Sequence, residues 1–314
     1  MDMLGHAIFI LIGILGVAGC SHTSSPQLEN RFFGSVEIIG GKGVGLGRFS
    51  KPRSVTVDRD DNLYVVDMTA RVQKFDANGK FLRFWQMTQT DLGKPKGMAI
   101  DRDGNIIVVE PHYNCVNHFS PDGKLLRKWG RAGVEPGSLN MPRNAVVDRE
   151  GNIFVCEFGE TQRVQEFDPT GSKLLAHWGG LGNGPGQFSR PEGLAFDREG
   201  NLLVADSCNH RVQKFTPDGR FLKAFGSAGT RSGEMSFPYD VKMDGAGNIF
   251  ICEYGNSRVQ VFDAEGRSLA CLGGLGSGPT QFNNPWSIAL DSKGNLYVAD
   301  AGNHRVVKLV RRAA

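Results

Sequence analysis

One feature constrains this chain more than any other: it repeats. Asp58, Asp101, Asp148, Asp197, Asp244 and Asp291 each close a short apolar run and open a turn. A Pro stands six residues before each of them, at Pro52, Pro95, Pro142, Pro191, Pro238 and Pro285, and a second carboxylate stands nine residues after, at Asp67, Glu110, Glu157, Asp206, Glu253 and Asp300. Two fixed offsets kept through six units mean one structural module used six times. A module of roughly 40–50 residues cannot bury its apolar face alone and must stack against its neighbours.

Each module reads as four short strands. In the fourth, residues 193–196, 201–205, 211–215 and 220–225 are apolar-rich runs bounded by turn signals. The Asp-Arg-Glu-Gly-Asn and Thr-Pro-Asp-Gly-Arg segments between them put Pro where φ must be fixed and Gly where φ is positive, which hairpin turns require. The 42 Gly and 14 Pro of the 314 residues suit such a turn-rich chain. The expected fold is therefore all-β: a six-bladed β-propeller of four-stranded antiparallel blades, with strands a to d running from the axis outwards. The sixth module stops after its third strand, at residues 305–310. Residues 38–52, Ile-Ile-Gly-Gly through Phe-Ser-Lys-Pro, align without a gap to residues 177–191, His-Trp-Gly-Gly through Phe-Ser-Arg-Pro. Residues 36–39 thus supply the missing strand, and the N-terminal strand completes the last blade and removes an open sheet edge.

Ahead of the repeats, residues 8–17 form an apolar run too short to span a bilayer and suited to the core of an export signal. It ends in Val17-Ala18-Gly19-Cys20, which resembles the bacterial lipobox, whose cysteine is acylated and becomes the new N-terminus. The first six residues depart from that pattern, holding Asp2 and no Lys or Arg. The expected organisation is a lipoprotein signal at 1–20 with lipidation at Cys20, a Ser-rich tether at 21–31, the propeller at 32–310 and a tail at 311–314. A cleaved soluble precursor and an uncleaved anchor are the alternatives. The expected location is the periplasm or outer surface, held to the membrane through the lipid alone. A net charge of +3, from 36 basic and 33 acidic residues, offers no field to gather nucleic acid, which is not an expected partner.

Val204-Ala205-Asp206-Ser207-Cys208-Asn209-His210-Arg211-Val212, and again Val298-Ala299-Asp300-Ala301-Gly302-Asn303-His304-Arg305-Val306, resemble NHL repeats. The resemblance covers nearly all of residues 32–310 and implies the propeller. It leaves function open, because NHL propellers include peptide-processing lyases, RNA-binding modules and protein-interaction platforms. In such a ring the d–a connections and the b–c loops open on one face, where ligands enter. The residue after each repeated Pro then lines the channel mouth. Arg53, Lys96 and Arg143 put cations on blades one to three; Glu192, Tyr239 and Trp286 put an acid and two aromatics on blades four to six. The pattern predicts a pocket for an anionic ligand with a flat or apolar portion; the alternative is a ring of ordinary hydrated loop side chains.

Arg71, Arg163, Arg211, Arg258 and Arg305 open the third strands and are expected to bond their own blade's carboxylate or loop carbonyls. In the second module Cys115 takes that place. Glu110, with His112 and Tyr113 close by, is then either freed to receive a ligand or simply hydrated. The peptidyl-hydroxyglycine lyases share the architecture and hold zinc near the axis with histidines, one of them directly after the Pro. None of the six equivalent positions here is His, so that metal site does not carry over. His112, His210 and His304 fall on alternate blades, but in outer loops that cannot bring their nitrogens to about 2 Å from one point. No metal and no cofactor are expected. Cys115, Cys156, Cys208, Cys252 and Cys271 show no spacing pattern. Cys115 with Cys156, or Cys208 with Cys252, would span adjacent blades, but Cys156 and Cys252 take the positions of Ala205 and Ala299, which points to buried packing. The primary expectation is a monomeric, non-enzymatic module that binds an anionic small molecule, a peptide or a protein. A metal-dependent lyase or hydrolase is the alternative.

Overall fold

The computed structural model describes residues 30–312; the expected export signal, Cys20 and nearly all of the tether lie outside the described residues. Six separate four-stranded antiparallel sheets form the molecule. Their innermost strands are Pro52–Val57, Gly97–Ile100, Pro142–Val147, Pro191–Phe196, Pro238–Met243 and Pro285–Leu290. Each packs against the innermost strand of the next sheet, and the sixth packs against the first, so the sheets close into a ring. Three short 3-10 turns, Pro111–Tyr113, Ser207–Asn209 and Ala301–Asn303, are the only helical elements among the described residues.

The strand pattern follows from where each strand sits. Strand b is buried along its whole length in every blade, from Leu63–Asp67 to Leu296–Asp300, because neighbouring blades cover both its faces. A near-continuous apolar run ending in one carboxylate is what such a strand must be. Strand d lies at the rim, and in Leu174–Gly179 burial alternates residue by residue, as a half-solvated strand requires. In the fourth blade strand a begins at Pro191, two residues earlier than expected; Pro191 sits opposite Asp206 and the register then shifts before Leu194. A first-residue Pro costs no ladder bond there.

The ring is sealed as expected. Phe33–Ile39 pairs antiparallel with Arg305–Arg311, with Val36 opposite Leu309 and Ile39 opposite Val306, and forms the outer strand of the sixth blade. Phe33 and Val36 are buried against blade five and Ile39 against blade one, each contributing about 1.5–3 kcal/mol of burial. The start of the strand is fixed by Asn30, whose Oδ1 accepts the amides of Phe32 and Phe33, both at 2.8 Å. The five cysteines of the described residues are free thiols, and Cys156 and Cys252 are fully buried in strand b. The disulfide alternatives are therefore not formed.

Candidate functional site

The mouth of the ring is built on a bonded unit repeated in the blades. In the fourth, buried Asp206 accepts the Ser189 amide at 2.7 Å, Asn209 Nδ2 at 2.9 Å, Arg211 Nε at 2.8 Å and Gln213 Nε2 at 3.1 Å. Arg211 then reaches outwards, donating to the carbonyls of Asn183, Gly184 and Gln187 at 2.8–2.9 Å. One guanidinium thus ties the b–c loop to the connection entering from the previous blade. Arg258 with Glu253 and Arg305 with Asp300 repeat the unit, each at 2.7 Å. Arg163 keeps the three carbonyl contacts and lies 3.3 Å from Glu157. Arg71 bonds the carbonyls of Val44, Gly45 and Arg48, while Asp67 accepts Ser50 and Thr69 instead. The arginines therefore act as expected in blades three to six, and in blade one through carbonyls.

A second contact runs from each blade to the next. The residue before the repeated Pro has positive φ at Lys51, Met141, Arg190, Phe237 and Asn284, a conformation that costs non-glycine residues energy. In each case its amide donates to a side chain of the preceding blade's b–c loop: His304 Nδ1 at 3.2 Å, Asn114 Oδ1 at 2.8 Å, Gln162 Oε1 at 2.6 Å, His210 Nδ1 at 3.2 Å and Ser257 Oγ at 3.3 Å. His210 and His304 are thus inter-blade acceptors, with their ring proton on Nε2. The residue equivalent to them in blade two is Asn114, not His112. The alternate-blade set of histidines joins residues at different places in the repeat, and His112 lies exposed against Gly93.

These contacts hold the post-Pro residues at the axis, where all six converge with Asp240 and Ser287 around a cavity of about 20 Å³. That is room for one water. The strands approach so closely that a Cβ on Gly193 would lie 2.5 Å from Asp240 Cα, which only glycine permits. The expected cationic and stacking halves do not stay apart. Arg53 and Lys96 sit over the Trp286 ring at 4.3 and 4.5 Å. Arg143, buried, donates Nε to Glu192 at 2.6 Å and stacks on Phe158 at 4.8 Å. Arg190 Nε donates to the other Glu192 oxygen at 2.7 Å. Tyr239 stacks on Tyr254 with centroids 4.6 Å apart. Arg190, Phe158 and Tyr254 were not among the expected site residues. Phe158 and Tyr254 directly follow the strand-b carboxylate and Arg190 directly precedes the Pro, so the repeat offsets held the signal.

Charge at this mouth is unbalanced: Arg53, Lys96, Arg143 and Arg190 face Glu192, while Asp240 is turned to Lys242 and Ser287. Burial first, and the Arg143 guanidinium next, pull Arg53 down to about 10. Burial and Glu192 push the Tyr239 hydroxyl up to about 12. Among the described residues no group of three or more His, Cys, Asp or Glu is placed to hold a metal ion. Glu192, held by two guanidiniums, does not offer the mouth a metal ligand either.

Glu110 lies apart from the mouth cluster. It is buried, and in place of the missing arginine it accepts Asn117 Nδ2 at 2.6 Å and faces Cys115 Sγ at 3.6 Å. Its Oε1 and the Asn117 Oδ1 have no hydrogen-bond partner among the described residues. Burial pushes the Glu110 carboxyl above its ordinary value.

A six-bladed propeller carrying NHL repeats is what these elements define: residues 188–215 and 282–309 match the NHL repeat. Residues 61–136 match the SMP-30/Gluconolactonase/LRE-like region. A search of curated proteins finds no match. Solved structures share the fold over nearly the whole chain. A gluconolactonase from Xanthomonas campestris is 17% identical with a TM-score of 0.69, covering 95% of this chain and 98% of that one. A streptogramin B lyase is 13% identical with a TM-score of 0.64, covering 90% and 98%. A virginiamycin B lyase from Staphylococcus aureus is 15% identical with a TM-score of 0.63, covering 88% and 99%. At these identities the likeness is one of fold.

Folded Glu110 holds its proton more tightly than the unfolded chain does. Its stabilising effect is therefore complete below the ordinary glutamate value of 4.5 and is lost as pH rises through the raised folded value. Glu110→Gln, which keeps the shape and carries no charge, should stabilise the protein by about 1–2 kcal/mol at neutral pH and by little in acid. Urea unfolding of both proteins across pH checks this; parallel curves would show that Glu110 is not a strained carboxylate.

Proposed function

We propose that this chain is a binding module whose mouth takes an anionic ligand bearing a flat or apolar group. The supporting observation is the excess of cations over Glu192, set among Trp286, Tyr239 and Tyr254. A cavity the size of one water cannot swallow a ligand, so the ligand rests on the post-Pro side chains that plug the mouth. Its anionic head meets the half-buried Arg53 and Lys96, and its flat part lies along the aromatic side. Arg143 is already spent on Glu192 and serves to hold the plug. A hydrolase- or lyase-like activity is the second reading, supported by the gluconolactonase and lyase named among the similar folds.

In Arg53→Ala with Lys96→Ala, ligands found by thermal shift on the wild type should lose roughly tenfold or more in affinity. The melting temperature of the free protein should fall by no more than the loss of two ring contacts, because among the described residues neither side chain makes a hydrogen bond or ion pair. Unchanged affinity would place the site elsewhere. Turnover of a lactone by wild type, lost in the same variant, would favour the second reading.

We also propose that the propeller is monomeric and held at the bacterial membrane by a lipid on Cys20. Cys20→Ser should move it from the membrane fraction to the soluble one. Continued membrane association would rule out the lipid as its anchor.

A further inference from the structure

The opposite face of the ring is the roomier one. Its central depression measures about 440 Å³, against about 20 Å³ at the mouth. The residue that ends strand a is apolar and half-buried in every blade, and Val57, Ile100, Val147 and Leu290, from blades one, two, three and six, floor the depression. A ring of apolar side chains left facing solvent at a channel end is surface that a ligand can cover.

The turn that follows supplies the charge. Asp58, Asp101, Asp148 and Asp291 line the depression as well, and each is engaged within its own blade: Asp58 accepts Asn62 and Tyr64, Asp101 accepts Asn105 and lies 3.5 Å from His118, Asp148 accepts Asn152, and Asp291 accepts Asn295 and Tyr297. The next residue is Arg on four consecutive blades, Arg59, Arg102, Arg149 and Arg198, and is Gly245 and Ser292 on the other two. The two cations of the depression, Arg59 and Arg102, therefore lie on one side of it, among four carboxylates that are already hydrogen-bonded. Arg59 and Arg102 line the central depression, are exposed, and make no ion pair, hydrogen bond or ring contact among the described residues. Asp103 and Glu150 line only the outer groove that adjoins it, which Arg59 and Arg102 also border.

We infer that this face binds a small amphiphilic carboxylate, with its head on Arg59 and Arg102 and its apolar body on the strand-a ends. Planar guanidiniums suit a carboxylate because each can donate two parallel N–H bonds. A depression of about 440 Å³ falls within the ordinary size of small-molecule sites. The site is separate from the mouth in place and in chemistry, since at the mouth the aromatic rings are stacked by cations and here the floor is aliphatic.

Octanoate, titrated by calorimetry into the full propeller, tests this. One octanoate should bind per chain, while acetate, which lacks the tail, and octyltrimethylammonium, which reverses the head, should not. Arg59→Ala with Arg102→Ala should weaken octanoate about tenfold or more without lowering the melting temperature, because neither side chain is bonded. Val147→Glu gives an independent check: it puts a carboxylate on the half-buried floor of the depression, so octanoate should weaken severalfold. The inference is overturned if octanoate fails to bind, if both variants bind it like wild type, or if Arg53→Ala removes the binding instead. That last result would move the ligand to the mouth.

Discussion

The structure depends on one contact found in every blade but the second: an arginine at the start of strand c whose outer nitrogens hold carbonyls of the incoming d–a connection and whose Nε, in blades four to six, also bonds its own blade's carboxylate. The d–a connection is long and rich in glycine, so by itself it would sample many shapes. Three carbonyls fixed by a planar fork remove that freedom. The residues placed next along the chain, the positive-φ residue, the Pro and the mouth residue, take their positions from it. A buried ion pair of this kind adds little net stability, since both charges lose water. Burial does push Asp206 and Asp300 above the ordinary value, with Ser189 or Asn283 amides and the arginines pulling the other way. The contact matters for where it holds the loop.

Blade two shows what happens when the contact is absent. Its d–a segment lacks the bridge that pairs Leu181 with Phe188 and its equivalents in the other connections. Cys115 and Asn117 replace the arginine and the glutamine, and Glu110 is left with an unmet oxygen. The changes belong together: without a loop to hold, an arginine there would bury a charge with no carbonyls to receive it.

Much of the fold was legible in the sequence because it rests on offsets. Asp58 and its five equivalents, the Pro six residues before and the carboxylate nine after, define a blade without reference to any other, and the match of residues 38–52 to 177–191 located the closing strand. The mouth was legible only as a set of residues. That Arg53 and Lys96 would lie on Trp286, and Arg143 on Glu192, depends on how narrow the axis is, which no local offset encodes. The roles of His210 and His304 were hidden for a related reason. They accept amides 27 and 253 residues away, across a blade boundary that is invisible in one repeat taken alone.

The arginine contact fixes the loop and, through it, the mouth. Hydrogen exchange on Arg211→Ala compared with wild type tests it most directly. Protection should be lost at Phe188, Ser189 and Arg190, whose amides bond to Gly180, Asp206 and Gln162, while strand b of the same blade, Leu202–Asp206, keeps its protection. Unchanged exchange at those three amides, or loss spread evenly through the blade, would contradict it.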